Sequence, residues 1–369
     1  MNRICQLVGV LTLALPWALP WALPLSAAEA AVGDVLNTPA TLAPQAEHAV
    51  LLDLARAGAR LVAVGERGIV LLSDDNGITW RQTPVPVSVS LTAVQFIDAD
   101  HGWAVGHGGA VLVSADAGET WTLQLDGRRA AQLELDAARA QADNANASDA
   151  EAAVARVQTA ERLVAEGADK PFLALKFTDA RHGLIVGAYG LAFKTEDGGA
   201  SWESLIGQID NPAGAHLYAL AAHGEQWFIA GEQGYLARSD DGGQSFAALD
   251  SPYSGSFFAV QVRDDGTLLA AGLKGNAFVS RDNGVSFIPA PVPTPVSFSD
   301  AIRTVDGQLL LVNQGGALFR TQADAQLRPY GAPLGKPVAS VVQAADGSLV
   351  LAGFTGLTRL APPTAIASE

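Results

Sequence analysis

Short apolar runs with alternating character succeed one another along most of this chain. In one stretch LTAVQFI at 91, HGWAVG at 101, AVLVSA at 110 and TWTLQL at 120 follow in order, separated by turn residues. Period-two alternation with β-branched and aromatic content predicts four consecutive strands there. The same grouping recurs. Aligned on a five-residue turn, the copies are VGERG at 64, VGHGG at 105, VGAYG at 186, AGEQG at 230, AGLKG at 271, VNQGG at 312 and AGFTG at 352. Their spacings are 41, 81, 44, 41, 41 and 40 residues, so the 81 is one repeat plus an insertion of about the same length. Four strands in about 40 to 45 residues is the size of a propeller blade. The fold class is therefore all-β: a seven-bladed β-propeller over residues 45–361, whose closed ring leaves only short, protected edges.

An acidic-glycine box sits at one phase of five units, in the turn between the third and fourth strands. The copies are SDDNGITW at 73, SADAGETW at 114, TEDGGASW at 195, SDDGGQSF at 239 and SRDNGVSF at 280. Turn chemistry accounts for every position. The first hydroxyl residue (Ser73, Ser114, Thr195, Ser239, Ser280) closes the loop. The acid (Asp75, Asp116, Asp197, Asp241, Asp282) accepts from backbone amides of its own turn. The glycine (Gly77, Gly118, Gly199, Gly243, Gly284) supplies a positive φ. The aromatic (Trp80, Trp121, Trp202, Phe246, Phe287) packs between sheets. A calcium loop of the EF-hand kind needs a glutamate at its twelfth position, which these lack. Catalysis would favour one distinctive copy over five interchangeable ones. The box reads as scaffold. The sixth unit, TQADAQLR, has lost the glycine and aromatic positions, as a decaying structural repeat does.

Two segments depart from the pattern. Residues 127–169 are alanine-rich and charged, and predict a helical hairpin inserted between blades 2 and 3. Ser148-Asp149-Ala150-Glu151 reads as a capping box opening its second helix, and Gly167 as its stop. The last unit ends without a fourth strand. Residues 29–44 form an N-terminal segment, of which 33–44 are expected to supply that strand and close the ring; residues 362–369 are a tail.

Composition narrows the class. Among 369 residues 49% are hydrophobic, with 38 glycines and 19 prolines, which suits a large core and many turns. The formal net charge of −15 argues against a nucleic-acid partner, which requires a basic footprint. Asn2 and Arg3, an apolar run and then SAAEA have the three-part layout of a signal peptide over residues 1–28, cleaved after Ala28 or, alternatively, Ala30. Pro16, Pro20 and Pro24 count against an uncleaved anchor. The one cysteine, Cys5, lies inside that segment, so the mature chain has no disulfide and no thiolate metal site. The expected product is periplasmic or secreted, with no membrane insertion after cleavage.

VGxxG followed by the Ser-x-Asp-x-Gly-x-Thr-Trp box, at this period, resembles the photosystem II stability/assembly factor-like family, over residues 45 to 360. The resemblance implies a seven-bladed propeller acting as an assembly chaperone. For non-photosynthetic proteobacterial members it implies a membrane protein complex as partner, with an RND-type exporter as the particular case. Photosynthetic members carry an arginine-rich patch near an insertion; here only Arg128, Arg129 and Arg139 stand amid many acids.

In a propeller the turns between second and third strands share one face with the linkers between blades. The VGxxG turns and the hairpin therefore define a candidate partner-binding rim: Arg67, His107, Tyr189, Glu232, Lys274, Gln314 and Phe354. No cofactor, metal site or catalytic set is expected. A sialidase-like or lyase-like enzyme is the alternative, and Arg67, Tyr189 and Glu232 are the nearest approach to its residues. There is no G-x-S-x-G elbow or phosphate loop, and the six histidines fit no metal-ligand spacing. A further alternative is a small hydrophobic ligand at the mouth near Tyr189 and Phe354.

Overall fold

In the computed structural model, which describes residues 34–322, 324 and 326–361, the alternating runs form seven antiparallel sheets. Blade 1 comprises Leu51–Ala57, Arg60–Gly65, Val70–Ser73 and Arg81–Gln82. Blades 2 to 6 begin with Leu91–Phe96, Phe172–Phe177, Leu217–His223, Phe257–Val262 and Phe298–Arg303, and each has four strands in sequence order. Blade 7 has three, Ser340–Gln343, Leu349–Gly353 and Gly356–Leu360. The second strands are buried along their length apart from the half-buried Arg60 and Gln226 that open two of them, and the apolar clusters lie between neighbouring blades. Each sheet is thus half of two cores. Trp103 of blade 2, for example, stacks on Phe177 of blade 3 at 3.7 Å.

The repeated box fastens each turn through two shared atoms. Ser114 Oγ donates to Asp116 Oδ1 at 2.9 Å and accepts from the Gly118 amide at 2.9 Å. Asp116 Oδ1 also accepts the Thr120 amide at 2.9 Å, while Oδ2 accepts the Thr120 hydroxyl at 2.6 Å. Trp121 Nε1 then donates to the Gly118 carbonyl at 3.0 Å. The other four copies repeat these bonds on the acid. Hydrogen bonds to the ionised form hold Asp75 down at about 2, the Thr79 hydroxyl foremost, and Asp282 likewise through Ser286.

The first glycine of VGxxG is required by crowding. A Cβ at Gly65 would stand 2.2 Å from the Val50 carbonyl oxygen, and one at Gly187 2.3 Å from that of Pro171. The last glycine is left-handed, with φ of 75° at Gly68 and 74° at Gly190.

The expected closing strand is not there. Residues 34–44 contain no strand. They run instead beside the outer part of blade 1: the Ala40 amide donates to the Val85 carbonyl at 2.9 Å, and the Ser88 amide to that of Val35 at 2.8 Å. Leu36 is buried in the cluster between blades 1 and 2. These bonds, with Gln82 gripping the Ala43 amide and the Thr41 carbonyl, hold the segment against blade 1 and away from blade 7. The signal-peptide and tail readings, on residues 1–28 and 362–369, lie outside the described residues. Among the described residues no helix is long and apolar enough to cross a membrane.

Beside the apolar clusters on either side of blade 7, polar side chains bridge the seam. Opposite the residue that opens each VGxxG turn, the first strands of blades 6, 7 and 1 carry Asp300, Ser340 and Asp53, where blades 2 to 5 carry alanine. Ser340 Oγ lies 2.8 Å from Asp53 Oδ1 and 2.9 Å from Asp300 Oδ2. Asp300 Oδ2 accepts the Val341 amide of blade 7 at 3.0 Å, and Asp53 Oδ2 the Val94 amide of blade 2 at 2.8 Å. One hydroxyl proton serves only one of the two carboxyls. Both contacts are hydrogen bonds only when the other carboxyl is protonated and donates to Oγ. The electrostatics agree: burial, then the charge of Asp300, pushes Asp53 up to about 7 from an ordinary 3.8, and burial raises Asp300 as well.

A carboxyl kept protonated in the folded ring but free to ionise in the unfolded chain costs stability as pH rises. The loss begins near pH 4 and is complete once the folded group ionises, near 7 for Asp53. Asp300→Asn removes the charge that helps raise Asp53. Thermal melts should show the wild type losing stability between about pH 4 and 7, and a smaller loss in the variant. Equal slopes would show that the pair does not share a proton.

Candidate partner-docking face

The chain enters each blade from one face and turns back to it between the second and third strands. The seven VGxxG turns and the inserted hairpin accordingly share that face. Arg67, His107, Tyr189, Lys274, Gln314 and Phe354 are exposed there, Tyr189 and Phe354 at 61% and 60%. Glu232 is half-buried: its carboxylate accepts the His216 amide at 3.3 Å, as Glu66 accepts that of Val50 at 3.0 Å. This acid bonds to the incoming linker of its own blade. Arg67, Tyr189, Gln233 and Lys274 are held at φ between 52° and 57°, a left-handed conformation that disfavours side chains with a Cβ. None of the VGxxG residues lines the channel itself. The turns lie outboard of the mouth, because the first strand of each blade stands between them and the axis.

The hairpin consists of α1 (Gly127–Asp143) and α2 (Ala150–Glu166). Asp126 caps α1 by accepting the Arg129 amide at 2.8 Å. The capping box expected at α2 does not form. Asp149 is the N-cap residue without a side-chain bond, and Ser148 Oγ donates to Asn146 instead. Gly167 ends the helix at φ 78°. Alanines and Leu135 pack the helices together. Two charged residues then seat the pair on blade 3. Glu134, 4% exposed at its side chain, takes Arg156 in a two-pronged pair at 2.9 and 2.8 Å, and also accepts the Ser204 hydroxyl of the outer strand. The arginines singled out in the sequence are spread along the hairpin: Arg128 pairs with Asp34 at 2.9 Å, Arg139 with Glu161 at 3.2 Å, and Arg129 is exposed. They form no patch.

Between α2 and the rim of blades 3 and 4 lies a cleft of about 710 Å³, walled by Leu163, Ile206, Ile209, Pro212 and Tyr189. Tyr189 is braced from both sides. Lys170 Nζ stands over its ring at 5.1 Å, and His216 packs on it at 4.7 Å. From His216 the contact continues to Tyr218 at 6.2 Å and on to Phe258 at 5.3 Å, leading from the cleft into the channel mouth. Arg67 lies on blade 1, on the other side of the channel from blade 4. The trio nearest to a glycosidase set is therefore not brought together.

A closed ring of seven antiparallel blades, five of them carrying the Asp-box, defines an Asp-box β-propeller. The family of photosynthesis system II assembly factor YCF48 matches residues 154–332. The photosystem II assembly lipoprotein Ycf48 of Synechococcus sp. (strain CC9902) is 26% identical over 151 residues, which cover 40% of this chain and 45% of that protein. The chloroplastic photosystem II stability/assembly factor HCF136 of Cyanidioschyzon merolae (strain NIES-3377 / 10D) is 34% identical over 95 residues, covering 25% and 20%. The chain thus matches less than half the length of these curated relatives. A solved structure of YCF48 bound to D1 peptide superposes with a TM-score of 0.61 at 15% identity, over 85% of this chain and 94% of that one. At that identity the likeness is one of fold. Together these matches make the chain similar in sequence, over less than half its length, to photosystem II assembly factors.

Removing Glu134 leaves the half-buried Arg156 guanidinium with only Gln141 and takes from Ser204 its carboxylate acceptor. Glu134→Ala is expected to cost about 3 kcal/mol and to release the hairpin. Hydrogen exchange should lose protection over residues 127–166 and keep it in the blades; unchanged protection in the hairpin would show that the pair does not seat it.

Proposed function

We propose that this chain is an exported, non-enzymatic assembly or accessory factor that docks a membrane protein complex through the face bearing the hairpin. The observation that carries the reading is the cleft under α2, with Tyr189 held exposed and left-handed between Lys170 and His216. Backbone strain at an exposed side chain brings the fold no packing in return, which marks such residues as functional candidates. The relatives' names support an assembly role, and the D1 peptide bound to YCF48 supports a membrane protein as partner. The signal-peptide layout of residues 1–28 supports export to the periplasm. For the particular partner we propose an RND-type exporter, on the resemblance to the non-photosynthetic branch.

The structure offers two clean variants. A Cβ at Gly127 would lie 2.9 Å from Ala168 Cα, so the two ends of the hairpin meet and residues 128–168 can be removed without stretching the ring. Tyr189→Gly relieves the left-handed strain while removing the ring, and should melt no lower than wild type. Affinity capture from membranes should recover a membrane protein complex with wild type and lose it with both variants. An unchanged set of captured proteins would overturn docking at this face. A complex without exporter subunits would overturn the RND assignment and leave the docking role in place.

A further inference from the structure

The central channel has chemistry that the docking face does not use. Its cavity of about 540 Å³ is lined by the first strands of all seven blades. In blades 1 to 6 the register of the first strand slips after its first residue, so that one residue is extra. Those extra residues are Leu52, Thr92, Leu173, Tyr218, Phe258 and Ser299, and all line the cavity. A bulge re-aims the side chain it carries. Here six bulges set a collar at the end nearest the hairpin face, its apolar part made by Leu52, Leu173, Tyr218 and Phe258.

The other end is cationic. Lys176 is the fifth residue of its strand, and Arg56 and Arg303 the sixth of theirs. In a chain of net charge −15 this is a local excess, set against only two carboxyls, Asp53 and Asp300, which share a proton and are occupied by backbone amides. Arg56 donates to the carbonyl of Gly58, and Arg303 pairs with Asp264. Lys176 has no hydrogen-bond or ion-pair partner among the described residues. Burial, and then the nearby charge of Arg303, hold it below its ordinary value. Its ammonium is not among the enclosed polar atoms without partners, so it reaches open channel. Gln95 and Gln261 are committed to the next blades, through the Phe177 and Ala301 carbonyls.

We propose that the channel binds an amphiphilic carboxylate, its head at Lys176 beside Arg303 and its apolar body against the collar of Leu52, Leu173, Tyr218 and Phe258. Three residues of strand separate collar from cation, about 10 Å, the length of a medium-chain fatty acid. The site is separate from the docking face, so it stands or falls independently of the assembly role.

Isothermal titration of the intact mature protein with octanoate, acetate and 1-octanol tests it. Octanoate should bind one per chain and about ten-fold or more tighter than either acetate or octanol, because only octanoate engages both ends. Lys176→Met should weaken octanoate about ten-fold, leave octanol unchanged and melt no lower than wild type, since it removes a desolvated charge. Phe258→Ala should weaken octanoate while sparing acetate. Tyr189→Gly should alter none of the three. Octanoate binding no tighter than acetate or octanol overturns the proposal, as does full affinity in Lys176→Met. Lysine dependence without dependence on Phe258 overturns the amphiphile and leaves a plain anion site.

Discussion

The ring has to close on itself, and everything else in the molecule depends on that closure. Each blade buries its faces only against its neighbours, so a gap at one seam would open two cores. Blade 7 is the weakest link, with three strands and no Asp-box. Asp300, Ser340 and Asp53 span the seam from blade 6 to blade 1, and Asp53 extends the connection to the first strand of blade 2. The described residues contain no cysteine, so no disulfide closes the ring. The apolar cluster between blades 7 and 1 and the Ser340 bridge hold the seam instead, and the two buried carboxyls make that bridge sensitive to acidity while the Asp-boxes, with their depressed acids, are indifferent above about pH 4.

The two repeated motifs do different jobs at opposite edges of each sheet. The Asp-box ties the turn between third and fourth strands with side-chain oxygens. VGxxG lets the inter-blade linker cross close to the backbone, which only glycine permits at Gly65 and Gly187. Side chains between those glycines are thereby left free to vary, and four of them stand exposed in left-handed conformations. A rigid ring with variable points on one face is well suited to recognition.

How much of this was legible in the sequence follows from the range of each interaction. The Asp-box and VGxxG turns are complete within a few residues, so spacing alone placed all seven blades and located the hairpin. The closing strand was misplaced because the preference of residues 34–44 for the edge of blade 1 rests on Leu36 and on backbone partners at 85 to 88, which no local pattern announces. The latch was invisible for the same reason: Asp53 and Ser340 lie at opposite ends of the propeller sequence. A signal did exist, since an aspartate breaks the alanine at the third strand position in Asp53 and Asp300. The collar was hidden because bulges do not disturb alternation enough to be read. The Glu134–Arg156 seat could have been found as charged residues on the alanine-rich sides of both helices.

The meeting of Gly127 with Ala168 has a mechanical side. A partner pulling on the hairpin would load the propeller at one junction, between blades 2 and 3, and nowhere else on its circumference. The bridge at Ser340 reaches blade 2 through Asp53 and the Val94 amide, so traction at the hairpin would be passed to it through that blade. Such a load would fall first on the contacts that seat the helices, the Ser204 hydroxyl on Glu134 among them.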